Sequence, residues 1–222
     1  MLPTTTTTWL AAIATVATLV TYEAAAVLMQ RCKPERLARS AHASLREEWF
    51  AAVSSHSGSE ILAVQTLRNS LMSATMTAST AVLGLMGTVT LAAPNLRSSL
   101  TDAGVGLAFT PRLALELVLM TLLFASLVCS AMAVRSYNHA SFICAMPVGS
   151  ASRQRWSASG TAHVRRAGLL YSWGLRHLVL VAPIVVFIVH PFAGPVAACV
   201  VVMVLRTFDR VSSASAVAPN QA

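Results

Sequence analysis

Residues 177–205 read HLVLVAPIVVFIVHPFAGPVAACVVVMVL, an uninterrupted apolar stretch without a single Asp, Glu, Lys or Arg. A helix rises about 1.5 Å per residue, so about 20 apolar residues cross a hydrocarbon core roughly 30 Å thick. The stretch is too long for one ordinary crossing, and Pro183, Pro191, Gly194 and Pro195 interrupt its hydrogen-bond ladder. A helix that begins near Ala167 crosses by His190, turns at His-Pro-Phe-Ala-Gly-Pro and returns from Val196 to Leu205. Pro191, Gly194 and Pro195 are the predicted turn residues of this helical hairpin.

Three further runs are as long as a bilayer is thick: Trp9 to Met29, Leu71 to Ala93 and Leu113 to Val134. The fold class that follows is all-α, a polytopic transmembrane helical bundle. Four long apolar segments, the last split in two, give five spans at about residues 9–29, 71–93, 113–134, 169–190 and 196–206. Composition agrees: 55% of the residues are hydrophobic and only 11% are charged, where soluble domains carry about 25%. The chain reads as one membrane domain over residues 1–210 with a disordered tail at 211–222.

A net charge of +8 in a soluble protein would suggest nucleic acid. Here the cations gather in loops beside spans, where they act on topology and on anionic lipids, so no nucleic-acid partner is expected. Segment 30–70 holds Arg31, Lys33, Arg36, Arg39, Arg46 and Arg68. Segment 135–176 holds Arg135, Arg153, Arg155, Arg165, Arg166 and Arg176, while residues 94–112 hold only Arg97 and Arg112. Both large loops are expected in the cytoplasm, with the 94–112 loop and the N-terminus outside. A five-span chain also brings Arg206 and Arg210 inside. Met1 to Thr8 lacks the positive charge that precedes a cleaved signal, so the first run is expected to stay as a span. All basic residues except Lys33 are arginine, which suggests a GC-rich bacterial genome and an inner-membrane location. Cys32, Cys129, Cys144 and Cys199 show no C-x-x-C spacing, so no disulfide framework is implied.

The first large loop carries capping-box patterns at Ser44-x-x-Glu47 and Ser57-x-x-Glu60. Leu45, Trp49, Phe50 and Val53 then share a helix face that suits a short interfacial helix. The second span is expected to start near Glu60 and run unbroken to Ala93, with a polar stalk before the membrane. Residues 148–164, rich in Ser, Gly, Ala and Arg, read as a mobile connection.

Three blocks flank the spans: Ile61-Leu-Ala-Val-Gln-Thr-Leu-Arg-Asn-Ser70, Arg135-Ser-Tyr-Asn-His-Ala-Ser-Phe142 with Met146-Pro147, and Gly174-Leu-Arg176. In these blocks the chain resembles the membrane family known as domain of unknown function 599, over roughly residues 9–210. The resemblance implies a polytopic helical membrane protein of bacteria and plants, and no established activity comes with it. Ser172-Trp173 stands where bacterial relatives often carry Asn before Gly-Leu-Arg.

By span position, the blocks fall at one depth and form a polar belt. Gln65, Arg68, Asn69, Arg135, Tyr137, Asn138 and Arg176, with His139 and His177, would line it. The bland reading is headgroup anchoring and helix capping. The sharper reading is an anion or lipid-headgroup site, with Arg68, Arg135 and Arg176 converging on a phosphate or carboxylate.

Glu23 and Glu116 lie inside apolar runs at opposite depths, so they are candidates for proton or cation coupling but cannot form one acid/base pair. His177 and His190 are too far apart along a helix to share a metal, and no metal or cofactor is expected. Ser73, Thr77, Thr80, Gly84 and Gly87 form a small-residue stripe that suits helix packing within the chain or against a second copy. No phosphate loop, nucleophile elbow or zinc spacing is present in the sequence. The expected function is a non-enzymatic structural or accessory membrane component, with a homo-oligomer or another membrane protein as partner. The alternative is a subunit of a small-solute or ion transporter or channel.

Overall fold

The structure is a computed structural model that describes residues 4–32, 38–101 and 109–209. Among these residues the chain forms six helices: α1 (Thr4–Cys32), α2 (Ala38–Ser55), α3 (Glu60–Thr101), α4 (Pro111–Ala145), α5 (Ala151–Val189) and α6 (Ala193–Asp209). Four of them, α1, α3, α4 and α5, are long and apolar enough to cross a membrane. The molecule is a helical membrane bundle, as the apolar runs predict.

Antiparallel α4 and α5 form the spine, and α3 lies along α4. The two spine helices serve two cores. At the end nearest the α5–α6 turn, here the hairpin end, α1 and α6 close over Leu119, Leu123, Leu180, Ile184 and Phe187 with Leu19, Tyr22 and Val202. At the other end, α2 and α3 close over Ala133, Tyr137, Ile143 and Val164 with Phe50, Leu67 and Ala74. Large apolar side chains such as Leu83, Met86, Phe124, Val189 and Val200 remain exposed. A lipid-facing surface has that composition, because hydrocarbon does not penalise it.

The helix ends show why the elements stop where they do. Thr110 accepts the Leu113 amide at 3.2 Å through its hydroxyl, and Pro111 opens α4 with a residue that has no amide to satisfy. Ser150 caps α5 in the same way, accepting the Arg153 amide at 3.2 Å. Gly149 before it adopts φ +87°, a left-handed conformation that Gly reaches without strain. The hairpin turn is real: α5 ends at Val189, His190–Phe192 turn, and α6 departs antiparallel.

Several expectations shift in detail. Pro191 lies in the turn, but Gly194 and Pro195 belong to the first turn of α6, where Pro needs no intrahelical donor. Pro183 is carried within α5 and Pro94 within α3, because neighbouring turns hold the helix together around one missing bond. Residues 151–164 are helical, so the predicted mobile connection shrinks to the turn before Ser150. Glu60 Oε1 accepts the Val148 amide there at 3.0 Å, tying that turn to the start of α3. Neither predicted capping box forms. Ser44 lies inside α2 and bonds back to Ser40, while Ser59, not Ser57, accepts the Ala63 amide through its carbonyl.

The predicted short helix forms as α2 and packs onto α5. Phe50 is fully buried against Gly160, where an added Cβ would lie 2.3 Å from its ring, and Arg46 occupies the matching space over Gly168. The two glycines, eight residues apart, seat two side chains four residues apart. Leu45, on the predicted apolar face, points outward. The tail at 211–222, with Arg210, lies outside the described residues, as do Lys33 and Arg36.

Candidate functional site, a charge network buried between three helices

Gly174 brings α5 against α4. An added Cβ there would lie 2.6 Å from Ser130 Oγ, and Ser126 Oγ donates to the Gly174 carbonyl at 2.7 Å. Both serines are fully buried. This close approach fixes the register of α5, and two residues later Arg176 turns away from α4 toward α1 and α6.

The Arg176 side chain is only 4% exposed and meets two carboxylates. Its Nε lies 2.7 Å from Glu23 Oε1 on α1, and an Nη nitrogen lies 2.7 Å from Asp209 Oδ2 on α6. The contact with Asp209 is a formed hydrogen bond. The contact with Glu23 is electrostatic, because neither atom finds a well-directed hydrogen bond. Tyr22 donates to the same Asp209 oxygen at 2.6 Å, and its ring lies under the guanidinium at 4.6 Å. Trp173 adds a second ring at 5.7 Å and stacks on His177. An arginine pairs better than a lysine here, since its planar fork reaches two acids and stacks on a ring at once.

Register places this network inside the apolar part of the bundle. The His139 and His163 rings lie 5.1 Å apart, and with Gly174 against Ser130 they align α4 and α5. On that alignment Arg176 is level with Ser126, about eight residues or about 12 Å within the apolar run that ends at Val134. Glu23 lies about 9 Å within the run that ends at Met29. A charge at such depth is costly unless paired, which accounts for the two-acid embrace.

The polar belt is therefore not assembled as the sequence suggested. Arg135 is level with Ala167, about nine residues or about 14 Å from Arg176. Gly84, packed on Leu123 at 3.0 Å, likewise puts Arg68 level with His139. Gln65, Arg68, Asn69, Arg135, Asn138 and His139 are exposed at the α2 end of the bundle, and Tyr137 is buried beside Ser70 and Arg46. Arg176 is withdrawn from any site shared with Arg68 and Arg135 by its two carboxylates. His139 pairs with His163, not with His177. His163 lies on the part of α5 that precedes its apolar run. Burial and the neighbouring His139 and Arg166 push its imidazole below the ordinary histidine value.

Glu116 is buried and pairs with Arg112, one turn away, at 3.0 Å. Of the small-residue stripe, Thr77 and Gly84 face α4, while Ser73, Thr80 and Gly87 lie on the outer face of α3. Among the described residues no group of three or more His, Cys, Asp or Glu is placed to hold a metal.

Four contributors escaped the sequence. Tyr22, Trp173 and Asp209 gave no signal of their own, because only tertiary contact brings them to Arg176. Arg153 looked like a loop cation but is 2% exposed. It donates to the Ile143 and Met146 carbonyls at 2.7 and 3.2 Å and to Ser54 at 3.1 Å, so it ties the end of α4 to α2. Cations at a helix C-terminus are favoured by the exposed carbonyls and the helix dipole.

Two grooves flank the network. One, about 530 Å³, is apolar and lies between α1 and the spine, lined by Val16, Leu19, Val27, Leu122 and Leu180 with Glu23 at its wall. The other, also about 530 Å³, lies between α1 and α6 and is lined by Thr18, Thr21, Tyr22, Cys199, Arg206 and Thr207.

The family described as protein of unknown function, DUF599, matches residues 10–214. No curated protein and no solved structure matches the chain. The chain belongs to the DUF599 family.

Proposed function

We propose that this DUF599 member is a non-enzymatic structural or accessory component of a bacterial inner membrane. The observation that carries the reading is how its buried charges are used. Arg176 is paired with Glu23 and Asp209, Glu116 with Arg112, and Arg153 with helix-end carbonyls. The Arg176 and Arg153 contacts fasten helices of this chain to one another, and the Arg112–Glu116 pair closes one turn of α4. Such use fits a scaffold better than a reaction centre, where a nucleophile and base would be held free for substrate.

The cation distribution supports an orientation with the α2 end in the cytoplasm and the N-terminus outside. The exposed Gln65, Arg68, Asn69, Arg135 and Asn138 then present a basic, amide-bearing surface to anionic lipids or to a second membrane protein. The outer small residues of α3, Ser73, Thr80 and Gly87, offer a close-packing face to that partner or to another copy.

Native mass spectrometry of the protein extracted from its own membrane in mild detergent tests this reading. A lone chain or a stoichiometric complex with another protein is the expected result, and a homo-oligomer carrying a specific solute would overturn it. The second reading, a subunit of a small-solute or ion transporter, draws on Glu23 standing at the wall of an open groove. Solute or ion flux in proteoliposomes that falls in Glu23→Gln would favour it.

A further inference from the structure

The polar groove between α1 and α6 has a composition that the charge network leaves unused. Its one cation is Arg206, exposed on the last turns of α6. Thr18 and Thr21 on α1 and Thr207 beside Arg206 on α6 line the same groove with hydroxyls whose protons are already committed. Thr18 donates to the Ala14 carbonyl at 2.8 Å, Thr21 to the Ala17 carbonyl at 2.6 Å, and Thr207 to the Met203 carbonyl at 3.0 Å. Each hydroxyl oxygen therefore turns lone pairs, not a proton, toward the groove. Behind this wall two carboxylates face the single guanidinium of Arg176, so the formal charge beside Tyr22 is negative. The groove thus offers one strong donor for an anion and a set of acceptors for a hydrogen-donating cation.

Depth adds a second observation. Asp209 bonds Arg176, which lies about 12 Å within an apolar run. Arg206, about one turn nearer the hairpin end, is therefore also level with the apolar part of the bundle. Hydrocarbon against it would leave an exposed guanidinium without a counter-charge, which is costly. The volume beside it, about 530 Å³, admits a headgroup from the adjoining leaflet. Val200 and Met203 lie exposed on α6 where its acyl chains would run.

We propose that the α1–α6 groove binds the headgroup of an amine-bearing phospholipid, with its phosphate on Arg206 and its primary ammonium on the hydroxyl oxygens of Thr18, Thr21 and Thr207. A phosphoethanolamine headgroup has this pattern. A phosphocholine headgroup has the same charges without N–H donors, and a phosphoglycerol headgroup lacks the cation.

The test is lipid retention by the full chain, read by native mass spectrometry after exchange into nanodiscs of mixed phosphatidylethanolamine, phosphatidylcholine and phosphatidylglycerol. One retained phosphatidylethanolamine per chain is expected, preferred over the other two. Arg206→Gln should weaken its retention at least about tenfold, the scale of a lost charge-assisted hydrogen bond. Thr21→Val, which keeps the shape, should erase the preference over phosphatidylcholine while leaving a phospholipid bound. Both residues are exposed, so folding is not at stake. Equal retention of the three lipids by the wild type, undiminished retention in Arg206→Gln, or displacement of the lipid by inorganic phosphate would each overturn the proposal.

Discussion

Arg176 shows how much one side chain decides in a medium without water. A guanidinium about 12 Å inside an apolar run needs counter-charges, and it takes one from α1 and one from α6. Removing it leaves two uncompensated acids. Arg176→Gln should therefore destabilise the bundle by about 3–5 kcal/mol, read as a lowered thermal midpoint in detergent with α1 becoming sensitive to protease. Arg176→Lys should recover only part of this, because an ammonium cannot serve two acids and a ring together. The sequence singled out Glu23 as an acid inside an apolar run and Arg176 as a member of the polar belt beside the spans. It could not join them, since 153 positions separate the two in the chain, and it missed Asp209 and Tyr22 entirely.

His163 carries the pH dependence at this scale. Its imidazole is held below the ordinary histidine value by burial first, then by His139 and Arg166. A lowered folded value means that the unfolded chain binds the proton more readily. The stability that neutral His163 contributes is therefore present above the unfolded value and is lost as pH falls from there toward the folded one. The thermal midpoint should decline as pH is lowered below the ordinary histidine value of about 6.5, and His163→Gln should flatten that decline.

At the scale of elements, glycines set which helices touch. Gly174 seats α5 on α4, Gly160 and Gly168 seat α2 on α5, and Gly194 seats α6 on Phe187 and Thr15. Gly174→Ala would place a methyl group 2.6 Å from Ser130 Oγ, so it should cost about 1–3 kcal/mol and shift Arg176 out of line with its acids. Phe50→Ala should cost about 3–5 kcal/mol and release α2, measured as faster hydrogen exchange over residues 38–55. The small residues of α3 were legible as a packing stripe. The sharper seats on α5 were not, because Gly160 sits in the 148–164 segment whose Ser, Gly and Arg content imitates a loop and Gly168, at the predicted start of the fourth apolar segment, carries no partner in its own sequence.

Across the whole molecule, two cores share one spine. The α2-end core and the hairpin-end core are both built on α4 and α5, and α3 runs along both, contributing Leu67 and Ala74 to the first and packing Leu85 against the second. Mutations confined to one core should therefore raise hydrogen exchange most in the helices that belong to that core alone, α1 and α6 at the hairpin end and α2 at the other. The hairpin predicts that a dual topology reporter fused after Val211 gives the cytoplasmic signal if the large loops are cytoplasmic. The opposite signal would mean that α6 does not return across the bilayer.

The amino-acid sequence by itself determined the membrane setting, the positions of the apolar helices and the reversal at Pro191, because bilayer thickness and proline chemistry act on local runs of residues. Only the tertiary structure decided the depth of each polar block, the packing of α2 on α5 and the meeting of Arg176 with Glu23 and Asp209. Those depend on how far one helix slides along another. That sliding is set by a few close contacts, Gly174 on Ser130 and Gly84 on Leu123 among them, which no single helix carries in its own sequence.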